Sequence, residues 1–445
     1  MDQKANNTKG FVLTAVTINS ERNIVPVDIT GIVSDIQFFE HLDKPYITGN
    51  IVISDSVRLY DRLDIQGAEE VIIEMQMNLD SPKVRRKFYI TKIAAAQKTN
   101  ETTEMIALTI VDDWFFRSTV KNVNKVFTGS PDSIIEQIAE QYLDLEVVRE
   151  GSFVFQNEMK VIVPNLTPLQ AIMWIKQRAT TDDGMPFYVY NDFITNRLNI
   201  SDVVTLTSQV PYNRRKPFLY GVTDSLVIDE KQYAYLPIKA YKIKDVQSML
   251  SLVDKGLVSS THSFFHTSHN KIRNHSFNIQ KDIFDRIELD RSKHYKFSED
   301  FKIDDENITK LGSRKISRIS SSGPFEIGAT ANYKSYSEES DPSDHVRKIT
   351  SRAMRHFLIK DPISIRVDGK AFIRGDYNMT IGNCVRLLFL ANRPNTTDGG
   401  TKLDMLKSGD YVVYSSKHTF SLSRYDVDLE CVKISDFTNE GSMLT

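Results

Sequence analysis

Between Val71 and Met77 the chain alternates: Val71, Ile73, Met75 and Met77 interleave with Ile72, Glu74 and Gln76. A period of two predicts a strand that buries one face. Phe88 to Ala95 and Met105 to Val111 continue the pattern, separated by a polar hairpin at Lys98 to Thr102. One short helix is predicted near Asp55 to Leu63, with Val57, Tyr60 and Leu63 on one side. From Phe11 to Val111 the signal is otherwise strand, and several strands in succession predict an antiparallel barrel or sandwich. The sharpest alternation lies near the other end. There Tyr425, Val427, Leu429 and Cys431 alternate with Asp426, Asp428 and Glu430, giving one apolar and one acidic face. Val385, Leu387 and Phe389 share a face just before it.

The texture changes at Trp114. Ser130-Pro131-Asp132 predicts a helix start: a capping hydroxyl, proline in the first turn, and an acid near the positive end of the dipole. Ile134, Ile135, Ile138, Ala139, Tyr142 and Leu143 give that helix its apolar face. Thr167-Pro168 opens a second helix, with Leu169, Ile172, Met173 and Ile175 following. Strands are predicted at Lys160 to Val163 and Phe187 to Tyr190, so this stretch reads as a small α+β domain. Further on, Val246 to Lys255 predicts a helix and Leu257 to Phe265 an extended segment. Lys281 to Tyr336 is polar, Ser-rich at Ser317 to Gly323, and predicts an inserted arm or loop. Asp341-Pro342-Ser343-Asp344 opens another helix to about Leu358, striped by Ile349, Ala353, Met354 and Phe357.

The two strand-rich regions echo each other in order. In the first, Ile65-Gln66-Gly67 precedes an apolar strand and then a hairpin pair. In the last, Thr380-Ile381-Gly382 does the same ahead of Val385 to Phe389, Tyr411 to Phe420 and Tyr425 to Ile434. The match is one of pattern, which unrelated meanders also produce. If it is a duplication, a trimer presents six similar units, so a three-fold ring could mate with a six-fold one.

Composition narrows the function classes. The chain has 445 residues, 56 Lys plus Arg and 58 Asp plus Glu, for a formal charge of −2. At roughly 150 residues per domain this suggests about three domains. The balance argues against a generic nucleic-acid binder and against an acidic tail protein. The N-terminus lacks the apolar stretch of a secretory signal, and no apolar run reaches the ~18–20 residues needed to span a bilayer. The sequence therefore predicts a soluble cytosolic product. Two cysteines, Cys384 and Cys431, are too few for a disulfide scaffold or a Cys-rich zinc site, and both are predicted to be buried reduced thiols.

Catalytic motifs are missing. No G-x-x-x-x-G-K-[ST] loop and no G-x-S-x-G elbow occurs. His262, His266, His269 and His275 form the densest imidazole cluster. In an extended segment His262 and His266 would sit ~13 Å apart at ~3.3 Å per residue, so polar surface residues are the expected reading over a metal site. The acid runs Asp112-Asp113, Asp182-Asp183 and Asp304-Asp305-Glu306 predict turns and caps. The basic runs Arg85-Arg86-Lys87, Arg214-Arg215-Lys216 and Arg314-Lys315 predict solvated turns. No cofactor is expected.

The chain resembles the baseplate hub protein of contractile-tailed phages of the T-even type, and more distantly the N-terminal half of type VI secretion spike proteins. Four segments carry the resemblance. They are Val27 through Ile51-Val52-Ile53-Ser54-Asp55-Ser56 to Val71-Ile72-Ile73; Asp112-Asp113-Trp114-Phe115 followed by Gly129-Ser130-Pro131-Asp132-Ser133-Ile134-Ile135; Val163 to Leu169 with Ala171 to Ile175 and Phe187 to Tyr190; and Ser408 to Val413 with His418-Thr419-Phe420 and Tyr425. Their order spans about 90% of the chain, while the stretch from about 280 to 340 matches poorly.

The resemblance implies an α+β, mainly β chain with two similar antiparallel tube-type barrels and two peripheral α+β units. The barrels would be 11–112, and 216–245 joined with 359–437. The peripheral units would be 113–215 and 246–358, with loose termini at 1–10 and 438–445. It also implies a homotrimeric, pseudo-six-fold ring in the virion baseplate, assembled in the host cytoplasm. That ring would join the tail tube protein to the central spike protein, contact baseplate wedge and tape-measure proteins, and pass genomic DNA without inserting in a membrane. A bore that passes DNA should avoid Lys and Arg rows, which would hold phosphate. Asp426, Asp428 and Glu430, with Glu74 and Gln76, are the candidates for a lumen or interface face. A tail-tip receptor-binding protein, using the 280–340 insert, and a tail-associated cell-wall hydrolase, using the acid pairs, are the alternatives.

Overall fold

The computed structural model describes residues 11–436 except 21–24, 60–62, 79, 156–157, 222–234, 244–248, 267–270, 285–301, 313, 321–333, 336–341, 360–361, 373–378, 392–402 and 423. The expectations for the two termini, Tyr60, His269 and much of the 280–340 insert lie outside the described residues.

The fold is mainly β, with one closed six-stranded barrel and further strands. Twelve strands carry the architecture. In the first half they are β1 (Val12–Asn19), β2 (Val33–His41), β3 (Thr48–Asp55), β4 (Glu70–Gln76), β5 (Val84–Lys98) and β6 (Glu104–Asp112). In the second they are β7 (Phe218–Tyr220), β8 (Leu236–Ile243), β9 (Pro362–Asp368), β10 (Cys384–Phe389), β11 (Gly409–Ser421) and β12 (Tyr425–Asp436). Alternation sets their faces, as the pattern predicts. Val71, Ile73 and Met75 of β4 are buried, as are Ile106, Leu108 and Ile110 of β6 and Val427, Leu429 and Cys431 of β12.

The two halves share one pairing scheme. In the first, β1 pairs with β4, β4 with β5, β5 with β6, β6 with β3, and β3 with β2. In the second, β7 pairs with β10, β10 with β11, β11 with β12, β12 with β9, and β9 with β8. Adding six to each strand number turns one list into the other. Two details differ. β7 has three residues and runs parallel to β10, whereas β1 runs antiparallel to β4. β7 also pairs with β8 and closes the second half into a barrel. In the first half β1 pairs instead with the short segment Val27–Asp28 that leads into β2.

The halves join through β2 and β11, antiparallel over Asp35–His41 and Ser415–Ser421. One antiparallel sheet therefore runs β5-β6-β3-β2-β11-β12-β9-β8 across both. The cores merge beneath this seam. Phe38 of β2 stacks on Phe88 at 5.0 Å and on Phe193 at 4.6 Å, and meets Phe420 of β11 edge-on at 5.9 Å.

Between the halves lies an α+β unit with helices Asp113–Thr119, Pro131–Ile138, Pro168–Arg178 and Val203–Ser208. It has its own core, in which Ile134, Ile135, Ile138, Leu169, Ile172 and Ile175 meet. Thr167 opens Pro168–Arg178, its amide donating to Gln170 Oε1 at 3.3 Å. A second unit packs helix Pro342–Leu358, through Ala353, Met354 and Phe357, on a sheet that includes Ser259–His266 and Lys271–Asn278.

Four local expectations need correction. Ser130 precedes its helix without a side-chain cap bond; its carbonyl accepts from Ile134 N at 3.0 Å instead. Near residues 55–63 Leu63 is buried as the stripe predicts, but Val57 is 53% exposed and Leu59 is buried instead, because Val57 lies in the bend ahead of the helical residues. Arg314–Ser320, read as part of a loop and a solvated turn, is a strand parallel to Ser259–His266. His262, read as a surface residue, is buried beside Ser260 Oγ at 2.9 Å, because its strand is paired on both sides.

Candidate assembly interface

The acids of β12 lie on the outer face of the joined sheet, opposite the core. Each of the first two is neutralised locally. Asp426, 4% exposed, accepts from Lys239 of β8 at 2.6 Å and faces Arg424 at 3.1 Å. Asp428 holds Arg366 of β9 through two bonds, 2.7 and 3.2 Å. Glu430 continues the row beside Ser415 and Ser364. The same face carries Asp35, Gln37 and Phe39 of β2 and Lys417 of β11, whose ammonium sits 5.7 Å from the Phe39 ring. On the first half this face shows Asn50, Val52 and Ser54 beside Ala107, Thr109 and Met105. Acids and bases are thus interleaved, and the face is neither basic nor strongly acidic.

Glu74 and Gln76 are elsewhere. Both sit on β4, outside the joined sheet; Glu74 pairs with Arg85 at 3.1 Å and Gln76 is buried opposite Val12. The structure does not bring them together with the β12 acids.

Beneath the seam lies a buried polar node that the sequence did not announce. Glu40 of β2 and Ser416 and His418 of β11 face inward and are each at most 2% exposed. Glu40 accepts from Thr380 Oγ1 at 2.8 Å, His418 Nε2 at 3.1 Å, Phe193 N at 2.5 Å and Ser416 Oγ. Burial alone would raise the Glu40 carboxyl. The charge of His418 and hydrogen bonds from His418, Ser416 and Phe193 outweigh it and hold the group below its ordinary range. The other imidazole nitrogen, Nδ1, lies 2.7 Å from Tyr425 OH. Serine, histidine and glutamate make the composition of a hydrolytic triad, but the geometry is different. Glu40 and Ser416 both lie on the Nε2 side of His418, Tyr425 takes Nδ1, and the group is sealed from solvent. It is a lock between the two halves.

Two more buried cations clasp the first α+β unit to this frame. Arg86 of β5, expected in a solvated turn, is 3% exposed and donates through Nη1 to Asp192 O at 2.8 Å and Phe193 O at 2.7 Å. It is turned inward because the strand's alternation places it between Val84 and Phe88. Lys176 is fully buried against Asp43 and lies 5.3 Å from the Tyr188 ring; burial, then Arg355, pushes its ammonium well down. The remaining candidates behave as structural groups. Asp112 caps helix Asp113–Thr119 at Phe115 N and also accepts from Ile47 N at 2.7 Å. Burial pushes its carboxyl up to about 7. Asp304 and Asp305 form the left-handed turn between two short strands. Cys384 and Cys431 are buried thiols outside any disulfide. Among the described residues no group of His, Cys, Asp and Glu is arranged to hold a metal ion, and no helix is long and apolar enough to cross a membrane.

No family model and no curated protein matches the sequence. Solved structures do match. A tail protein from Neisseria meningitidis MC58 is 12% identical with a TM-score of 0.52, covering 95% of this chain and 97% of its own. The 43 kDa tail protein of prophage MuSo2 from Shewanella oneidensis is 9% identical with a TM-score of 0.50, covering 94% and 98%. A chain of the Francisella PdpA–VgrG complex is 8% identical at a TM-score of 0.45, covering 99% of this chain and 55% of that one. At these identities the likeness is one of architecture: the chain has the fold of the Neisseria and Shewanella tail proteins.

Proposed function

We propose that the chain is a structural hub of a phage-type contractile tail, without catalytic activity. Three copies form a ring of six similar units that adapts a six-fold tail tube to a three-fold central spike and leaves a bore for DNA. Wedge and tape-measure proteins are the further neighbours of such a ring. The observation that carries the reading is the repeat of one pairing scheme in two halves, fused side by side through a strand ladder. A chain that presents the same unit twice gives a trimer near-six-fold symmetry. The fold shared with two phage-type tail proteins supports the setting.

The outer face of the joined sheet suits a bore. Gripping DNA needs rows of unpaired Lys and Arg. On this face Arg366 and Lys239 are held by Asp428 and Asp426. Negative-stain images of the purified chain test the ring: six-lobed particles with a central opening are expected, and solid single-chain particles contradict it.

A further inference from the structure

Lys176 occupies a core position of its helix. Leu169, Ile172 and Lys176 recur at the spacing that lines one face, and all three are buried. The lysine side chain is fully enclosed, yet it ends on a carboxylate: Nζ meets Asp43 Oδ1. Asp43 belongs to the turn between β2 and β3, 133 positions away in sequence. That turn is held in place. Asp43 N donates to His41 Nδ1 at 3.0 Å, and Lys44 N donates to His41 O at 3.0 Å.

The surroundings disfavour an ordinary ion pair. Tyr188, itself buried, walls the site with its ring 5.3 Å from Nζ. The Arg355 guanidinium lies 5.8 Å from the same ring, so a second positive charge approaches the lysine. Its hydrogen bond to Phe187 O, at 3.5 Å, leaves that charge in place. Burial and this charge drive Lys176 toward the neutral amine, the form that attacks a carbonyl carbon. A buried ion pair also carries a desolvation penalty that its own attraction need not repay. Condensing the pair to an amide removes both charges. The Asp43 side chain is 35% exposed, so the water released has a way out.

We propose that Lys176 and Asp43 join through an isopeptide bond, which forms within the folded chain and ties the first α+β unit covalently to the strand frame. The step balances. The ammonium passes a proton to the carboxylate, giving a neutral amine and a neutral acid. Nζ attacks Cγ and the C–N bond forms. A second amine proton moves to the departing hydroxyl, the C–O bond breaks, and one water leaves. No oxidant, reductant or co-reactant takes part. Holding the two groups in contact supplies the effective concentration, which reaches roughly 10⁵–10⁸ M in well-oriented intramolecular reactions. The bond does not depend on the ring.

The intact mass of the purified full-length chain, measured under denaturing conditions, tests the bond. The wild type should be lighter than its sequence by one water. Asp43→Ala and Lys176→Arg should each show the full mass of their own sequence. Fragmentation of proteolytic peptides from the wild type should place the missing water in a branched species that links the peptide of Asp43 to that of Lys176. A wild-type chain at its full sequence mass overturns the proposal and leaves an ion pair. So does a water loss confined to the peptide of Asp43, which is an internal imide, or one that persists in Lys176→Arg.

Discussion

Glu40 and Asp428 are both carboxylates held by side-chain partners, yet they differ in what their loss costs. Glu40 is buried with four donors, so Glu40→Ala leaves His418 and the donors stranded and should cost about 3–5 kcal/mol. Asp428 pairs with Arg366, whose side chain is 47% exposed, so Asp428→Ala should cost less than about 1 kcal/mol. Denaturant unfolding of the two variants checks the contrast, and equal losses would deny the lock. The pH dependence has a defined sign. The Glu40 carboxyl lies below its ordinary value of 4.5. Its contribution is therefore complete above that value and lost as pH falls through the folded one. Glu40→Gln should flatten the acid limb of the stability curve. His41 gives a second readout. Burial, then Lys44 and Lys176, outweigh Glu430 and push its imidazole from 6.5 down to about 4. Below pH 6.5 the unfolded chain takes the proton first, so stability falls as pH drops from 6.5 toward 4. An NMR titration of His41 should show a midpoint near 4, and a midpoint near 6.5 would contradict its burial beside Tyr414.

At this scale the sequence was half legible. His418 falls on the inward parity of its strand with Phe420, and Glu40 on that of Ile36 and Phe38, which marks both as buried polar groups. That they meet could not be read, because 378 positions separate them. Arg86 was misread because a run of three charges suggests solvent, whereas strand parity turns only its middle member inward.

At the scale of elements, the two glycines that seeded the internal echo are conformational. Gly67 and Gly382 have φ of +97° and +77°, in the left-handed region, and each precedes the strand that carries the repeat. They are not equally crowded. A Cβ at Gly67 would come no closer than 3.5 Å to Thr91 O, whereas at Gly382 it would meet Tyr190 OH at 2.5 Å. Gly67→Ala should therefore cost about 1–2 kcal/mol for the backbone alone, and Gly382→Ala distinctly more. Thermal unfolding ranks them, and a reversed order would contradict the packing of Tyr190 against this turn. Strict alternation made the long strands legible. β7 and β8 were not, because β7 is three residues long and β8 runs Leu-Pro-Ile-Lys-Ala-Tyr-Lys-Ile without a clean period. The strand Arg314–Ser320 was hidden by serines, which read as loop but here fill a strand paired in parallel with Ser259–His266.

At the scale of the whole molecule, the near-zero charge first argued against a nucleic-acid binder. The fold gives that balance a local form: on the sheet's outer face Arg366 is held by Asp428, and Lys239 by Asp426. Duplex DNA should accordingly bind weakly at moderate salt, with a shallow salt dependence in a fluorescence titration; tight, steeply salt-dependent binding would contradict the bore. The fold class was legible because alternation repeats over many strands. The fusion of the halves through β2 and β11 was not, since pairing between distant strands leaves no mark in either.

The ring is the central claim, and the mass of the purified chain by light scattering tests it most directly. A ring requires three times the 50.9 kDa of one chain, held on dilution. A stable species at 50.9 kDa would contradict it.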